Sequence, residues 1–433
     1  MANVRNFVLV VLIACLSAWG QQITGNIRGT VADASSAVVQ GATVTAIQTE
    51  TGFSRTTTTD RDGTFLLVEL PVGHYRLEIT AKTFQKYVRE GVSLNVNETA
   101  VVPVTLAVGS EKEQVEVEAD AVLIQTTVTS LGQAVLQKEI VDLPLNGRNF
   151  AQLGTLQPGV VPLTPGLLEA GGSLRAQQGY AVNGQRPESN NFLIDGANNF
   201  NGVDGGYVLE PPIDAIEEFR IITHNSNAEF GHNLGSTTNI ITRSGSNRFH
   251  GALWEFLRND AFDATKYPNT TVEPLKQNQF GDSFGGPIRR DKTFFFVFYE
   301  GFRNREGESQ IATVPSLAER QGDFSAMCTE GIDPISGFCP NPAHQLFNVF
   351  FNQPYPFNQI PAPNPANPLA QNPFSVNLLS QFPLPDVGTN GFLATGTLSD
   401  NRDQFGVRID HYLTPRDTLN FRYMVSVTNR CFY

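Results

Sequence analysis

Two runs near the C-terminus limit what this chain can build. In Arg402–Leu413, Phe405, Val407 and Ile409 point one way, and Gln404, Gly406, Arg408 and Asp410 the other. Thr414-Pro-Arg-Asp-Thr418 turns the chain. Leu419, Phe421, Tyr423, Val425 and Val427 then alternate with Asn420, Arg422, Met424 and Ser426. Period two is the periodicity of a strand. Runs of about ten residues, apolar outward and polar inward, mark the wall of a transmembrane barrel; a soluble antiparallel sheet alternates as well. Earlier segments add to the set. Ala252, Trp254 and Phe256 share a face in Gly251–Leu257. Asn278–Ile288 and Lys292–Glu300 flank a tight turn at Arg289–Asp291. Thr293–Tyr299 is apolar on both faces and cannot say which one meets lipid.

The stretch Ile240-Ile-Thr-Arg-Ser-Gly-Ser-Asn-Arg-Phe-His-Gly251 separates these segments from what precedes them. Its polar, Gly/Ser-rich middle reads as a connection. With 433 residues the chain has room for two to four domains. Its 30 basic and 42 acidic side chains give a net charge of −12, which argues against a nucleic-acid partner. At the N-terminus, Arg5 precedes the apolar run Phe7–Leu16, which is too short to span a bilayer. Ala18-Trp19-Gly20 offers a cleavage site before Gln21, so residues 1–20 read as an export signal. Leu12-Ile-Ala-Cys15 also resembles a lipobox. Cys328 and Cys339 sit close together in a loop region and suit a local disulfide in an exported protein, leaving Cys431 over.

Residues 21–108 read as an all-β module. Ile23–Val31 alternates, and Ala42–Ile47, Thr64–Val68, Tyr75–Ile79, Val92–Val96 and Val101–Val108 repeat the pattern between turn signals. Short punctuated strands predict an antiparallel sandwich. Gly29-Thr-Val31, Gly41-Ala-Thr-Val44, Thr59-Asp-Arg-Asp-Gly-Thr-Phe65 and Leu70-Pro-Val-Gly-His-Tyr-Arg-Leu77 resemble the carboxypeptidase regulatory-like domain, a transthyretin-like sandwich. The resemblance implies a binding or scaffolding module without catalysis. Asp60 and Asp62 fail the EF-hand register, because the twelfth position is Pro71, and a hairpin turn explains them better.

Residues 109–120 form a charged linker. Within it, Gln114, Val115, Glu116, Val117 and Glu118 can lie extended. The segment is a plain solvated linker or a TonB box, which pairs edge-to-edge with the energy-coupling protein and needs an uncommitted backbone. Residues 121–241 are mixed: a short helix at Gln137–Leu143 stopped by Pro144, Leu143-Pro-Leu-Asn-Gly-Arg-Asn-Phe150, Leu156-Gln-Pro-Gly-Val160, a loop-like Gly166–Gln178, Val182-Asn-Gly-Gln-Arg186 and Asn191-Phe-Leu-Ile-Asp-Gly196. This order resembles the plug domain of TonB-dependent receptors of the Oar-like kind. The resemblance makes Asn183, Gly184, Arg186, Asp195 and Gly196 plug motifs, with Arg186 and Asp195 either buried structural groups or ligand contacts. Residues 242–433, with Phe280-Gly-Asp-Ser-Phe-Gly-Gly-Pro-Ile288, Gly322-Asp-Phe-Ser325, Asp333-Pro-Ile-Ser-Gly337 and Phe357-Asn-Gln-Ile-Pro361, resemble the start of an Oar-like barrel. On that reading, residues 303–400 form one long extracellular loop.

Gly281-Asp-Ser283-Phe-Gly285 fits the hydrolase elbow, but that motif needs a strand–turn–helix context and here lies in a glycine-rich strand. The six histidines are scattered without zinc spacing, and no cofactor fingerprint occurs. The expected fold is mainly β: sandwich, mixed α/β plug, then the opening antiparallel strands of an incomplete barrel. Five or six strands follow Arg243, against about 22 in a closed plugged barrel, so the chain reads as an N-terminal part. The resemblance implies an outer-membrane receptor and transporter, no enzyme and no cofactor. Its partners would be the TonB energy-coupling complex, outer-membrane lipid and a bulky extracellular ligand such as a carbohydrate, metal chelate or peptide. The alternatives are a secreted or surface carbohydrate-binding adhesive β-sandwich protein and an exported hydrolase using Ser283.

Overall fold

The computed structural model describes residues 24–109, 114–118, 131–162, 180–202, 206–226, 230–231, 234–265, 272–415 and 417–432. The export signal with Cys15, the loop-like Gly166–Gln178 and part of the 109–120 linker lie outside these. The chain divides into two compact units: 1–258, 277–304 and 400–430 form one, and 259–276, 305–399 and 431–433 the other.

The first unit begins with β1 (Thr24–Asp33), β2 (Thr43–Gln48), β3 (Ser54–Thr58), β4 (Thr64–Pro71), β5 (Gly73–Thr80), β6 (Lys86–Leu94), β7 (Thr99–Val101), β8 (Val104–Leu106) and β9 (Gln114–Glu118). They make two sheets. One has the order β4-β1-β7 with β8 also on β1; the other runs β3-β2-β5-β6-β9. Ile27, Val31, Phe65 and Leu67 from the first sheet and Val44, Ala46, Leu77, Ile79 and Val92 from the second form one buried core. Each of these side chains larger than Ala46 contributes about 1.5–3 kcal/mol by leaving water. Gly29 is needed because a Cβ there would lie 1.9 Å from the Val102 carbonyl oxygen. At Asp60–Gly63, Asp60 accepts from the Asp62 and Thr64 amides at 3.0 and 2.8 Å, the self-hydrogen-bonded turn of an Asx residue. The expected Val101–Val108 strand is two strands, since Pro103 has no amide to give to a ladder. β3, Ser-Arg-Thr-Thr-Thr, carries no apolar alternation, and nothing in its composition signals a strand core.

Next come β10 (Leu131–Leu136), a helix at Gln137–Asp142, β11 (Val160–Pro162), β12 (Tyr180–Val182), β13 (Asn191–Ile194), β14 (Ala197–Asn198), β15 (Phe200–Asn201), β16 (Gly206–Tyr207), β17 (Ile216–His224) and β18 (Thr237–Thr242). The main sheet is β10-β17-β18-β13-β14, with β11-β12 and β15-β16 as separate pairs. Phe150, Tyr180, Phe192, Tyr207, Phe219 and Ile240 fill the core of this central region. Phe150 and Tyr207 lie 4.9 Å apart between centroids, and Tyr180 meets Phe192 edge-on at 5.7 Å.

β19 (His250–Asn259), β20 (Leu275–Arg289), β21 (Thr293–Thr313), β24 (Gly391–Tyr412) and β25 (Thr418–Phe432) pair in that order; β22 (Phe347–Asn348) and β23 (Gln353–Pro354) form a small hairpin of the second unit. Burial across this wall is inverted relative to a soluble protein. Arg402, Gln404 and Asp410 are buried on β24, as are Gln277, Gln279 and Ser283 on β20. Phe405, Leu419, Phe421, Tyr423, Val425 and Val427 are exposed. On β21, Phe294, Phe296 and Phe298 point inward with Glu300 and Phe302, so both faces of that strand are apolar as its composition indicated. Phe298 covers Gly406, where a Cβ would lie 2.2 Å from its ring.

The strands are longer than the expected ten or so residues; β21 has 21 and β24 has 22. The expected 303–400 loop is corrected accordingly: 303–313 continues β21 and 391–400 begins β24. Polar residues such as Arg303-Asn-Arg-Glu-Gly hide the strand from a periodicity reading, because backbone pairing carries a ladder without an apolar stripe. The intervening residues, in the second unit, are folded. A capping box joins Ser316 and Glu319 at the helix Leu317–Arg320. Arg320 donates to the carbonyls of Pro315, Leu379, Phe382 and Pro383, and Cys328 and Cys339 are disulfide-bonded with Cα atoms 5.7 Å apart.

Candidate functional site

The inward polar face of β24 and β25 meets the central region through arginine–carboxylate pairs. Parallel pairing of β13 with β18, Asn191↔Thr237 to Ile194↔Ile240, brings Asp195 beside Thr242. Asp195 (φ 49°) and Gly196 (φ 77°) take left-handed conformations that turn the chain into β14. The Asp195 carboxylate is fully buried. It accepts from the Thr242 amide at 2.9 Å and hydroxyl at 2.6 Å. Arg422 Nε lies 2.9 Å from its Oδ2, and Arg408 Nη1 lies 3.5 Å from its Oδ1. Arg408 also donates through Nε to Asp410 at 2.8 Å and through Nη1 to the Thr242 carbonyl. Asp410 accepts from the Ser244 hydroxyl. One carboxylate thus ties two strands of the wall to the last strand of the central sheet.

A second pair, Arg402 with Glu210, repeats the design, and a third, Arg148 with Asp214, lies within the central region. Arg402 pairs with Glu210, lies 3.9 Å from Glu300, and stacks over Phe302 at 5.4 Å. Burial pushes the Glu210 carboxyl above its ordinary range, and Arg402 pulls against that shift. Arg148 pairs with Asp214 and lies over the Phe256 ring at 4.2 Å and the Trp254 ring at 5.8 Å. Trp254 and Phe256 therefore carry the ring faces that meet Arg148, although Phe256, like Leu253, stays exposed to solvent. A broken buried pair typically costs about 3–5 kcal/mol because one charge is stranded.

The N-terminal module meets the central region at Val96–Glu98. Glu218 accepts from the Val96 amide at 2.9 Å, and Arg220 donates to the Val96 carbonyl. Burial raises the Glu218 carboxyl to about 7, against the hydrogen bond from Val96 and the charge of Arg220. At the turn end of the wall, Phe53 packs on Tyr412 at 5.0 Å, Arg55 donates to the Pro415 carbonyl at 3.1 and 3.3 Å, and the Asn247 amide donates to the Glu50 carbonyl at 3.0 Å. A cavity of about 450 Å³ lies beside these contacts, lined by Glu50, His74, Glu217, Arg243, Arg408 and Asp410 among others.

Of the motif residues singled out in the sequence, Asp195 and Gly196 lie in this cluster. Asn183 and Gly184 form a left-handed turn after β12, where the Asn183 side chain donates to the Thr223 carbonyl at 3.0 Å. Arg186 is exposed, not buried; it starts the 3-10 turn Pro187–Ser189, whose proline keeps the chain at the surface. Gln114–Glu118 does not present the uncommitted backbone expected of it. As β9 it pairs in parallel with β6, from Lys86↔Gln114 to Glu90↔Glu118, because an extended segment next to an open sheet edge satisfies its backbone there. Ser283 sits mid-strand in β20, without the turn and helix an elbow requires. Glu210 and Asp214 lie in no stretch that the sequence reading quotes, and Arg148, Glu300 and Arg402 lie in quoted stretches without being singled out as site residues. For Arg402, the polar half of the β24 alternation is the signal available.

A sheet with a charged, ion-paired inner face and an apolar exposed outer face is the wall of an outer-membrane β-barrel protein. Residues 241–431 match the family described as outer membrane beta barrel domain, and residues 26–107 match the carboxypeptidase regulatory-like domain. The TonB-dependent transporter Oar of Myxococcus xanthus is 29% identical over 298 residues, covering 65% of this chain and 27% of that protein. Similar solved structures include a mutant of the ferric enterobactin receptor PfeA of Pseudomonas aeruginosa with enterobactin (18% identity, 69% of this chain, 33% of that one, TM-score 0.37). Another is the siderophore receptor PirA of the same organism (11%, 69%, 42%, 0.31). Over these residues the chain is similar to the Oar-like TonB-dependent receptors of the outer membrane. It spans about a quarter of the length of the curated relative it matches.

Proposed function

We propose that this chain supplies the N-terminal module, plug and first wall strands of a TonB-dependent transporter that moves a bulky ligand across the outer membrane. The observation that carries the reading is the Asp195–Arg408–Arg422 cluster between the central region and the inner face of the wall. A plug must stay seated against diffusion yet yield to a pull. A few buried ion pairs meet both demands, since each is strong while dry and is replaced by hydration once water enters. Residues 114–118 are the segment on which TonB pulls, and residues 121–241 the plug that moves. The outward Phe405, Phe421 and Val427 would be buried in a soluble adhesive protein, so they favour membrane lipid as the neighbour of this face.

The ligand is a carbohydrate, a metal chelate or a peptide. Uptake of labelled members of the three classes by cells producing the receptor, with and without a proton-gradient uncoupler, tests the reading. One class should enter only while the gradient stands. Uptake indifferent to the uncoupler in every class would refute the proposal.

A further inference from the structure

Three parts of the chain meet at the cavity beside the module's landing contacts. The module supplies Glu50 and His74, the central region Glu217 and Arg243, and the inner face of the wall Arg408 and Asp410. His74 Nδ1 lies 2.8 Å from Glu50 Oε1. Glu50 is also a point of attachment, because its carbonyl accepts the Asn247 amide at 3.0 Å. The charged neighbours are largely spoken for. Arg408 pairs with Asp410 at 2.8 Å, Arg243 Nε lies 3.6 Å from Glu217 Oε2, and Glu69 lies 4.0 Å from Arg55. Arg248 is exposed, and His250 Nδ1 faces the Arg248 carbonyl at 3.1 Å. Glu50 pairs with His74, and its second carboxylate oxygen is buried with no hydrogen-bond partner among the described residues. With His74 neutral, Glu50 and Glu217 are like charges on the two sides of the seam, and their repulsion acts to part it. A proton on His74 places a positive charge beside both carboxylates.

We propose that His74 is a proton-operated latch: protonated, it holds the N-terminal module onto the central region across this cavity, and deprotonated, it lets the module lift. The hydrogen bond with Glu50 raises the His74 pKa above its ordinary 6.5, and the charge of Glu217 adds to the rise. Glu50 travels with the module, so its share of the rise persists in a lifted module. The share that belongs to landing comes from Glu217. The landed module therefore holds the His74 proton more tightly than the lifted one. The latch is engaged below about pH 6.5 and is released as the pH rises through the higher value of the landed state. Glu217 works in the same direction, since burial raises its carboxyl as well. Burial pushes the Glu50 carboxyl up, but hydrogen bonding led by His74 brings it below its ordinary value, so Glu50 stays ionised throughout. The latch does not rest on the transport reading.

The test follows hydrogen exchange at the Asn247 amide, whose bond to the Glu50 carbonyl exists only while the module is landed. It uses the full chain in detergent with Glu218→Gln, which removes the pH response of the module's other contact. Corrected for the intrinsic rate, protection at Asn247 is expected to fall about two- to five-fold from about pH 6 to about pH 8, the size of an exposed charge interaction. His74→Gln should make protection level across that range. His74→Lys keeps its charge at about pH 8 and should hold the high protection throughout. Glu217→Gln, with His74 in place, should shrink the response. A parent chain without the fall, or a fall that survives His74→Gln, would overturn the latch; in the second case the proton sits on Glu217. A lysine chain as poorly protected at about pH 8 as the glutamine chain would show that charge is not what holds the module, and would overturn it too.

Discussion

Asp195 is the residue on which most of the cluster's charge converges. Replacing it with asparagine keeps its size and leaves Arg408 and Arg422 facing a neutral group. Asp195→Asn is expected to lower the stability of the seated central region by about 3–5 kcal/mol, read as a shift in the urea midpoint of the chain in detergent. Arg186→Ala is exposed and outside the cluster, so it should fall within about 0.5 kcal/mol. Equal effects of the two would show that the cluster does not hold the central region in place. Glu218 adds a pH dependence. Its folded pKa, about 7, lies above the ordinary 4.5, so the folded state holds its proton more tightly. The stability it lends is fully present below about pH 4.5 and is lost as the pH rises through 7. Hydrogen exchange at the Val96 amide should therefore quicken from pH 4.5 to 7 beyond its intrinsic rise, and Glu218→Gln should flatten that excess.

At the scale of elements, the alternation in Arg402–Leu413 and Leu419–Val427 makes β24 and β25 legible, down to which half of each strand is polar. Asp195 is legible as a motif, but its partners are not. Arg408 and Arg422 are more than 200 residues away in sequence, and a single sequence does not encode which carboxylate a lumen-facing arginine meets. β3 and residues 303–313 escape a sequence reading because their pairing is backbone-driven and leaves no apolar period. The seat of β9 escapes it because any extended segment looks free until the sheet edge beside it is seen. Packing on the inner face is also specific. Gly406→Val would place methyl groups inside the Phe298 ring. Overpacking of this kind costs about 1–3 kcal/mol and should lower the yield of chain that folds into detergent micelles; unchanged yield and unfolding midpoint would mean that Phe298 swings away freely.

For the whole molecule, the decisive feature is the inverted burial of the wall. Phe421→Arg, on the exposed apolar side, is expected to cost up to about 2–4 kcal/mol in a bilayer, depending on depth. The measurement is unfolding in lipid vesicles compared with unfolding in detergent; a penalty absent in vesicles would mean that this face does not meet hydrocarbon.

The bond from Arg55 to the Pro415 carbonyl closes 360 positions of sequence, and Phe53 on Tyr412 sits beside it. The module has a core of its own, drawn from Ile27 to Leu106, against which Tyr412 packs from the wall. Its landing surface, by contrast, exists only once the β24–β25 hairpin has formed. Landing therefore follows formation of that hairpin, and a probe on Phe53 would report the hairpin in place as distinct from mere export.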